Sequence, residues 1–281
     1  MKKLVYSFIA CSLIGLYAQA QDTKNVRFGL YARGTPCWFS SGDQTNYPSG
    51  GTRFGTGFGL NLEFKITDVV SFATGLGGDF DGGILNYRYN PSFTTSNYST
   101  GYVLDKSNNF VNLSTAQLNA AFDNNFTNGN YKSYTLLKRT IKTTYITIPL
   151  TLKMMTKDYG GFKYFGIFGG NLGILAGAKA TDVVLDDNLS QQTITGLNVY
   201  SDMNFMRLGL NVGGGAEYNI SGSTSLFASI NFVNSFLSLG KSSSKYLADG
   251  TTTNGSNPST FLMQTQSFKQ MGIQINVGIF F

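Results

Sequence analysis

The sequence predicts an all-β chain, an eight-stranded antiparallel up-and-down transmembrane β-barrel with short periplasmic turns and long extracellular loops. Three observations lead there. Apolar residues alternate with small and polar ones in long period-two segments. The connections between those segments alternate between short and long, the asymmetry of a barrel that crosses an outer membrane. After the N-terminal leader no apolar run reaches the roughly eighteen residues of a spanning helix.

Composition narrows the functional classes. The 281 residues include 21 Lys+Arg, 15 Asp+Glu, 34 Gly and no histidine. Charged residues are 13% of the chain, about half the usual share, while aromatics reach 14%. Five prolines and abundant aromatics argue against disorder. The missing histidine removes Ser-His-Asp and Cys-His nucleophiles and histidine zinc sites. An enzyme is therefore not expected, nor a cofactor or a metal.

Residues 1–20 read as a cleaved signal peptide: Lys2 and Lys3, an apolar stretch from Leu4 to Leu16, then Ala18-Gln19-Ala20 before Gln21. Cys11 read as a lipoprotein site would leave a very short apolar run. The mature domain is then 21–281, with 19 basic and 15 acidic residues and a charge of +4. Without a basic run or face it carries no nucleic-acid signature. Cys37 alone survives processing, so no intrachain disulfide forms.

Eight segments lie near 25–33, 53–66, 69–80, 141–155, 163–178, 204–220, 224–237 and 268–281. In the second, Phe54, Phe58, Leu60, Leu62 and Phe64 alternate with Arg53, Gly55, Gly57, Gly59, Asn61, Glu63 and Lys65. In the sixth, Leu208, Leu210 and Val212 alternate with Arg207, Gly209 and Asn211, and in the last Ile273, Ile275 and Val277 with Gln274, Asn276 and Gly278. Several run 12 to 17 residues, well beyond the five or six of ordinary strands. The short connections are Thr67-Asp68, Thr156 to Phe162 and Ser221 to Ser223; the long ones span 34–52, 81–140, 179–203 and 238–267. An even strand number puts both termini in the periplasm.

Periodicity does not say which face is wet, so a soluble ligand-binding barrel with its apolar face inward is the competitor. Polar faces made of glycine and asparagine favour the membrane form, as do aromatics at segment ends such as Tyr164, Tyr218 and Phe236. On that parity Phe58, Leu60, Leu208, Leu210, Ile273 and Ile275 face lipid. Arg53, Glu63, Lys65, Lys153, Arg207 and Glu217 point inward, and because buried charges must pair they are expected to form a lumen charge network. The inward glycines at 55, 57, 59, 213 and 215 make room for bulky neighbours. Pro149 removes one ladder donor and predicts a bulge or edge-like geometry.

Chemical motifs are weak. Asp79-Phe80-Asp81-Gly82-Gly83 opens like a calcium loop but fails at Gly83 and at Asn90, where ligands are required. Asp182, Asp186, Asp187 and Asp202 read as solvated loop acids, with a divalent-cation cluster as the sharper alternative. Ser114 would cap a short helix over 115–122. The rest of that connection, including Asn97, Tyr98, Tyr102, Asn108 and Tyr131, suits polar recognition and a passive hydrophilic surface equally.

Three segments carry a family resemblance. Thr144-Tyr145-Ile146-Thr147-Ile148-Pro149-Leu150-Thr151-Leu152-Lys153 resembles the middle strand of the PorT-like outer-membrane β-barrel family. Tyr164-Phe165-Gly166-Ile167-Phe168-Gly169-Gly170 is similar to its aromatic-Gly-x-x-x-Gly strand, and Arg207-Leu208-Gly209 through Glu217 to its Gly-Leu-x-x-Gly-x-Gly-x-Glu strand. The resemblance implies an eight-stranded barrel in the outer membrane of a Gram-negative cell, with Phe281 as the signal read by the assembly machinery. The expected function is a non-enzymatic structural or interaction role through the outer loops. The alternatives are an accessory barrel of a type IX-like secretion system, a narrow channel, or the soluble barrel. Expected partners are outer-membrane lipid, the barrel-assembly machinery during insertion, and secretion-system or surface proteins.

Overall fold

The computed structural model describes residues 26–90, 99–111, 130–186, 188–241, 246–249, 262–264 and 266–281. The signal peptide, Asp187 and the 115–122 helix fall outside the described residues. Among the described residues twelve strands follow one another: β1 (Val26–Ser41), β2 (Thr52–Lys65), β3 (Val70–Asn86), β4 (Ser99–Asp105), β5 (Tyr131–Met155), β6 (Phe162–Leu185), β7 (Gln191–Asn198), β8 (Met206–Ser221), β9 (Thr224–Ser235), β10 (Tyr246–Asp249), β11 (Leu262–Gln264) and β12 (Phe268–Phe280). Eight of them close a ring, β1-β2-β3-β5-β6-β8-β9-β12, in which every neighbour is antiparallel and β12 pairs back onto β1. The fold is a closed eight-stranded antiparallel β-barrel.

The register fixes how strongly the strands tilt. One row of partners runs Phe28, Leu62, Thr74, Leu150, Gly170, Leu210, Asn234, Met271 and back to β1 at Trp38. The circuit has climbed ten residues along β1. Such a stagger inclines the strands and leaves a lumen that side chains can fill.

The apolar parity faces outward. Phe58 and Ile230 are each 62% exposed, and Leu60, Leu208, Ile273 and Ile275 are also exposed. Leu210 shares that face but is half-buried. Inward positions carry Glu63, Lys153, Asn171, Asn211, Glu217, Ser229, Gln274 and Asn276, all buried. This orientation removes the soluble ligand-binding barrel, which needs the greasy face inside.

At one end the connections are tight: 66–69, 156–161 and 222–223. Gly160, Gly161 and Gly222 adopt φ of 66°, 89° and 57° there, a left-handed backbone that glycine takes without a Cβ penalty. Pro149 does not produce a bulge in the β5–β6 ladder, where it stays in register with Asn171; the shifts fall at Leu136/Lys138 and Thr144/Tyr145. The β3–β5 ladder does skip Ile148 and Pro149 themselves, while Thr147 and Leu150 on either side stay paired in the same register.

At the other end the connections expected as loops are in large part strand. β1 continues to Ser41, β3 to Asn86 and β6 to Leu185, while β5 starts at Tyr131, inside the expected 81–140 loop. β4 pairs with the outer end of β5, and β7 with the outer end of β6. The reason is environmental. Above the apolar belt the outward positions need not be greasy, so period-two alternation fades while the ladder continues. Inside this extension Phe39, Leu85, Tyr87, Tyr102, Leu104, Leu136, Val184, Leu197, Met203 and Leu239 form a buried apolar core that caps the outer mouth.

The cap should be separable from the barrel. Tyr102→Ala removes a side chain that is 2% exposed, at an expected cost of about 3–5 kcal/mol to cap packing. We expect limited proteolysis of the refolded variant to cut near 99–111 while the boiled-versus-unboiled gel shift persists. Loss of both together would make cap and barrel one cooperative unit.

Candidate functional site

The lumen is bridged by two charged layers. In the inner layer β5 supplies Lys153, whose ammonium contacts Glu63 of β2 at 2.9 Å and also Glu217 of β8. Arg27 of β1 approaches Glu217 at 3.1 Å and Glu63 at 3.6 Å, and donates to the Ser225 hydroxyl at 2.6 Å. Two cations and two carboxylates therefore meet across four strands with no net charge. Phe280 lies under both cations, 4.5 Å from the Arg27 guanidinium and 4.8 Å from the Lys153 ammonium.

The outer layer centres on Asp79 and Asp81 of β3. Arg33 of β1 reaches Asp79 at 2.7 Å, and Arg207 of β8 holds Asp79 at 2.9 Å and Asp81 at 3.0 Å. Thr147 donates its hydroxyl to Asp79 at 2.7 Å, and Arg207 also donates to Gln270 at 2.8 Å. Arg53 donates to the Asp81 backbone carbonyl at 2.7 Å. The Arg207 guanidinium stacks 4.2 Å from the Tyr145 ring. Each carboxylate of both layers is at most 3% exposed. Pairing on this scale is what makes such charges tolerable away from water.

Between the layers lies a cavity of about 80 Å³, lined among others by Asn61, Asn171, Asn211, Asn231, Gln274 and Asn276. That volume holds several waters by the size criterion for hydrated cavities. Asn211 donates to Asn171 and Asn276 to Ser229, each at 3.1 Å, while the Asn211 and Asn231 carbonyl oxygens have no protein donor. The same cavity is walled elsewhere by apolar side chains, Leu62, Phe165, Ile167 and Phe280 among them, so water would sit at the amide side.

Above, within the cap, Arg139 of β5 and Asp182 of β6 form a two-pronged pair, Nε to Oδ1 at 2.8 Å and Nη2 to Oδ2 at 2.5 Å. Tyr102 and Phe110 cover the guanidinium at 5.5 and 5.6 Å. Burial raises the Tyr87 phenol above its ordinary range, so it stays neutral and donates to Gln266 at 2.9 Å. On the exposed turns Asp105 and Asp186 are held below the usual carboxylate range. The largest cause is the backbone N–H of Asn109 for Asp105 and that of Ser190 for Asp186.

The residues predicted from sequence distribute unevenly. Glu63, Lys153 and Glu217 come together in the inner layer, Arg207 sits in the outer one, and Arg53 touches the outer layer through a backbone oxygen only. Lys65 is a correction. β2 ends there, and its ammonium turns to the exposed Asp68 at 2.8 Å, because beyond the last barrel row water is the nearer partner. Phe281 follows β12 half-exposed and donates its N–H to the Phe28 carbonyl at 2.8 Å. Of the aspartates read as solvated loop acids, Asp182 and Asp202 are instead buried, while Asp186 does lie on an exposed turn. Asp182 is committed to Arg139, and Asp186 accepts from the N–H groups of Asn188 and Ser190. No group of three His, Cys, Asp or Glu gathers among the described residues.

Arg27, Arg33, Asp79, Asp81, Arg139 and Asp182 are the partners that sequence reasoning missed. A signal existed for four. Arg27 and Arg33 share the parity of Tyr31 opposite to Leu30, and Asp79 and Asp81 continue the inward run from Ser71 that the Asp-Gly-Gly motif disguised as a loop.

No protein-family model matches the chain, and no curated protein matches its sequence. Among solved structures the chain is similar to neisserial surface protein A, at 10% identity over 89% of this chain and 95% of that one with a TM-score of 0.35. It is similar to OprG of Pseudomonas aeruginosa at 10% identity, 92% and 96% coverage and a TM-score of 0.37. A major outer membrane protein of Thermus thermophilus gives 13% identity, 91% and 99% coverage and a TM-score of 0.34. At such scores the barrel assignment stands on the register of this chain itself.

Removing one partner should reveal how much the inner layer matters. Lys153→Met leaves Glu63 and Glu217 facing each other with Arg27 alone, and breaking a buried pair in this way costs about 3–5 kcal/mol. Urea unfolding in lipid vesicles, followed by the gel shift, should move to markedly lower denaturant. The Lys153→Met/Glu63→Gln double variant should recover part of the loss. No recovery would show that the lysine acts by packing rather than charge.

Proposed function

We propose that this chain is a non-enzymatic barrel of a Gram-negative outer membrane, with a closed lumen and a strand-built outer cap as its working surface. The observation that carries this reading is the inside-out distribution of polarity. An exposed apolar belt surrounds a lumen crossed by ion pairs, and such an exterior is at home in hydrocarbon rather than water. The tight turns then face the periplasm, with both chain ends, and the cap faces the exterior. A chain without histidine whose lumen carboxylates are each engaged by a cation offers no free acid–base pair, which supports a role in structure or interaction.

The two charged layers and the cap argue against a conducting channel. The PorT-like resemblance falls on β5, β6 and β8, three consecutive strands of the wall, and this contiguity supports membership of that family. An accessory role in a type IX-like secretion system is the second reading. It predicts co-purification with periplasmic or outer-membrane subunits.

The test joins membrane fractionation to the gel shift and to planar-bilayer recording. We expect a heat-shifted band in the outer-membrane fraction and no conductance steps. Ile275→Arg places a charge mid-belt at about 2–4 kcal/mol and should abolish the shifted band. Unchanged insertion of that variant would show the parity to be inverted.

A further inference from the structure

We infer that the outer rim of β5 and β6 holds the phosphate of a phosphorylated lipid in the outer leaflet, through Lys142 and Lys179 with Lys138 beside them. The site rests on the outer-membrane reading above. Lys142 and Lys179 stand directly opposite each other across the β5–β6 ladder, and both are exposed on the outward face. Lys138 lies farther out on the same face of β5, opposite Val183.

Among the described residues no carboxylate shares the outward face beside these lysines. The outward positions that flank these lysines are Ile84 and Asn86 on β3, Thr140 on β5, Thr181 on β6 and Asn198 on β7. Among the described residues none of the three lysines forms an ion pair. The neighbouring wall carboxylates Asp81 and Asp182 are held by Arg207 and Arg139 on the inward face. Like charges placed directly opposite in a sheet repel, so this pair is unfavourable unless an anion lies between the two.

Height supplies the second observation. The outward row immediately below runs Phe80, Thr144 and Gly177, and one step lower on β5 is the exposed Ile146. Lys142 and Lys179 thus begin where the apolar belt ends, at the level of lipid headgroups, with hydroxyl and amide side chains next to them. Elsewhere the rim includes Trp38, Phe54, Met206 and Phe236, and its other exposed cations stand singly: Lys269 faces Ser40 and Lys132 faces Leu104. An acyl chain lying against Ile146 and Phe80 would carry its phosphate to the lysine pair, which selects a lipid over a free anion.

The experiment is native mass spectrometry of the full, refolded protein with diphosphoryl lipid A, with the same lipid stripped of phosphates, and with inorganic phosphate. We expect the wild type to retain diphosphoryl lipid A alone. Lys142→Gln/Lys179→Gln should lose at least about tenfold in retention. Lys142→Arg/Lys179→Arg should keep it, and Lys157→Gln on a periplasmic turn should match wild type. Equal retention by the glutamine variant overturns the site, as does equal retention of the phosphate-free lipid. Displacement of the lipid by inorganic phosphate at matched concentration also overturns it. Fractionation and the gel shift, run in parallel, separate the two readings. A wild-type protein outside the membrane fraction overturns the proposed function itself. A membrane-inserted glutamine variant that still holds the lipid overturns only this site.

Discussion

Closure of the hydrogen-bond ladder between β1 and β12 is the constraint on which the rest depends. In hydrocarbon no water can satisfy an open strand edge, so a sheet crosses only as a ring. Once the first and last strands pair with a stagger of ten residues, the lumen width follows. That width brings Lys153 of β5 within reach of Glu63 on β2 and Glu217 on β8, which no pair of sequence neighbours could achieve. The cavity between the layers is small for the same reason. Glycine tunes the fit where a ring crosses the lumen: a Cβ on Gly77 would collide with the Tyr31 hydroxyl, which accepts from Arg33 at 2.7 Å.

The long strands divide the molecule into two regimes of solvation. Within the belt the outside is apolar and the inside charged. Above it the inside becomes apolar, with Phe39, Leu85 and Leu136 packed as in a soluble protein, while the outside carries Lys138, Lys142 and Lys179. β5 passes through both regimes as one continuous strand and reverses its polarity along its length. The shifts at Leu136/Lys138 and Thr144/Tyr145 bracket the stretch where the reversal happens.

This reversal explains which parts were legible in the sequence. Segments inside the belt alternate greasy and small or polar residues, so β2, β8 and β12 could be located almost to the residue. The outer halves of β5 and β6 could not, because Tyr131–Thr140 and Lys179–Leu185 mix lysine, threonine and valine without a dominant period. The inner charged layer was largely readable from parity through Glu63, Lys153 and Glu217. Its fourth member, Arg27, escaped because the first segment was short. Asp79 and Asp81 escaped because local turn chemistry outweighed parity, although Gly82 with φ 151° and Gly83 lie within a continuous strand. Which charges meet across the lumen is a property of the stagger, and no local pattern encodes it.

The charged lumen contributes more to choosing one register than to net stability. Buried ion pairs seldom outweigh their desolvation cost, and apolar replacements of similar volume are often neutral or better. A slip of one strand by a single residue, however, turns its whole inward set toward lipid. For β5 that would expose Lys153, and for β8 Arg207 and Glu217. A lysine or arginine on the lipid face costs from near zero close to an interface to about 2–4 kcal/mol at the midplane. Each slipped state would also leave the carboxylates of neighbouring strands buried without their cations. The two layers lie at different heights and share β1 and β8, with β2 and β5 completing the lower one and β3 the upper. No single slip can satisfy both, so the network penalises wrong pairings far more than it stabilises the right one.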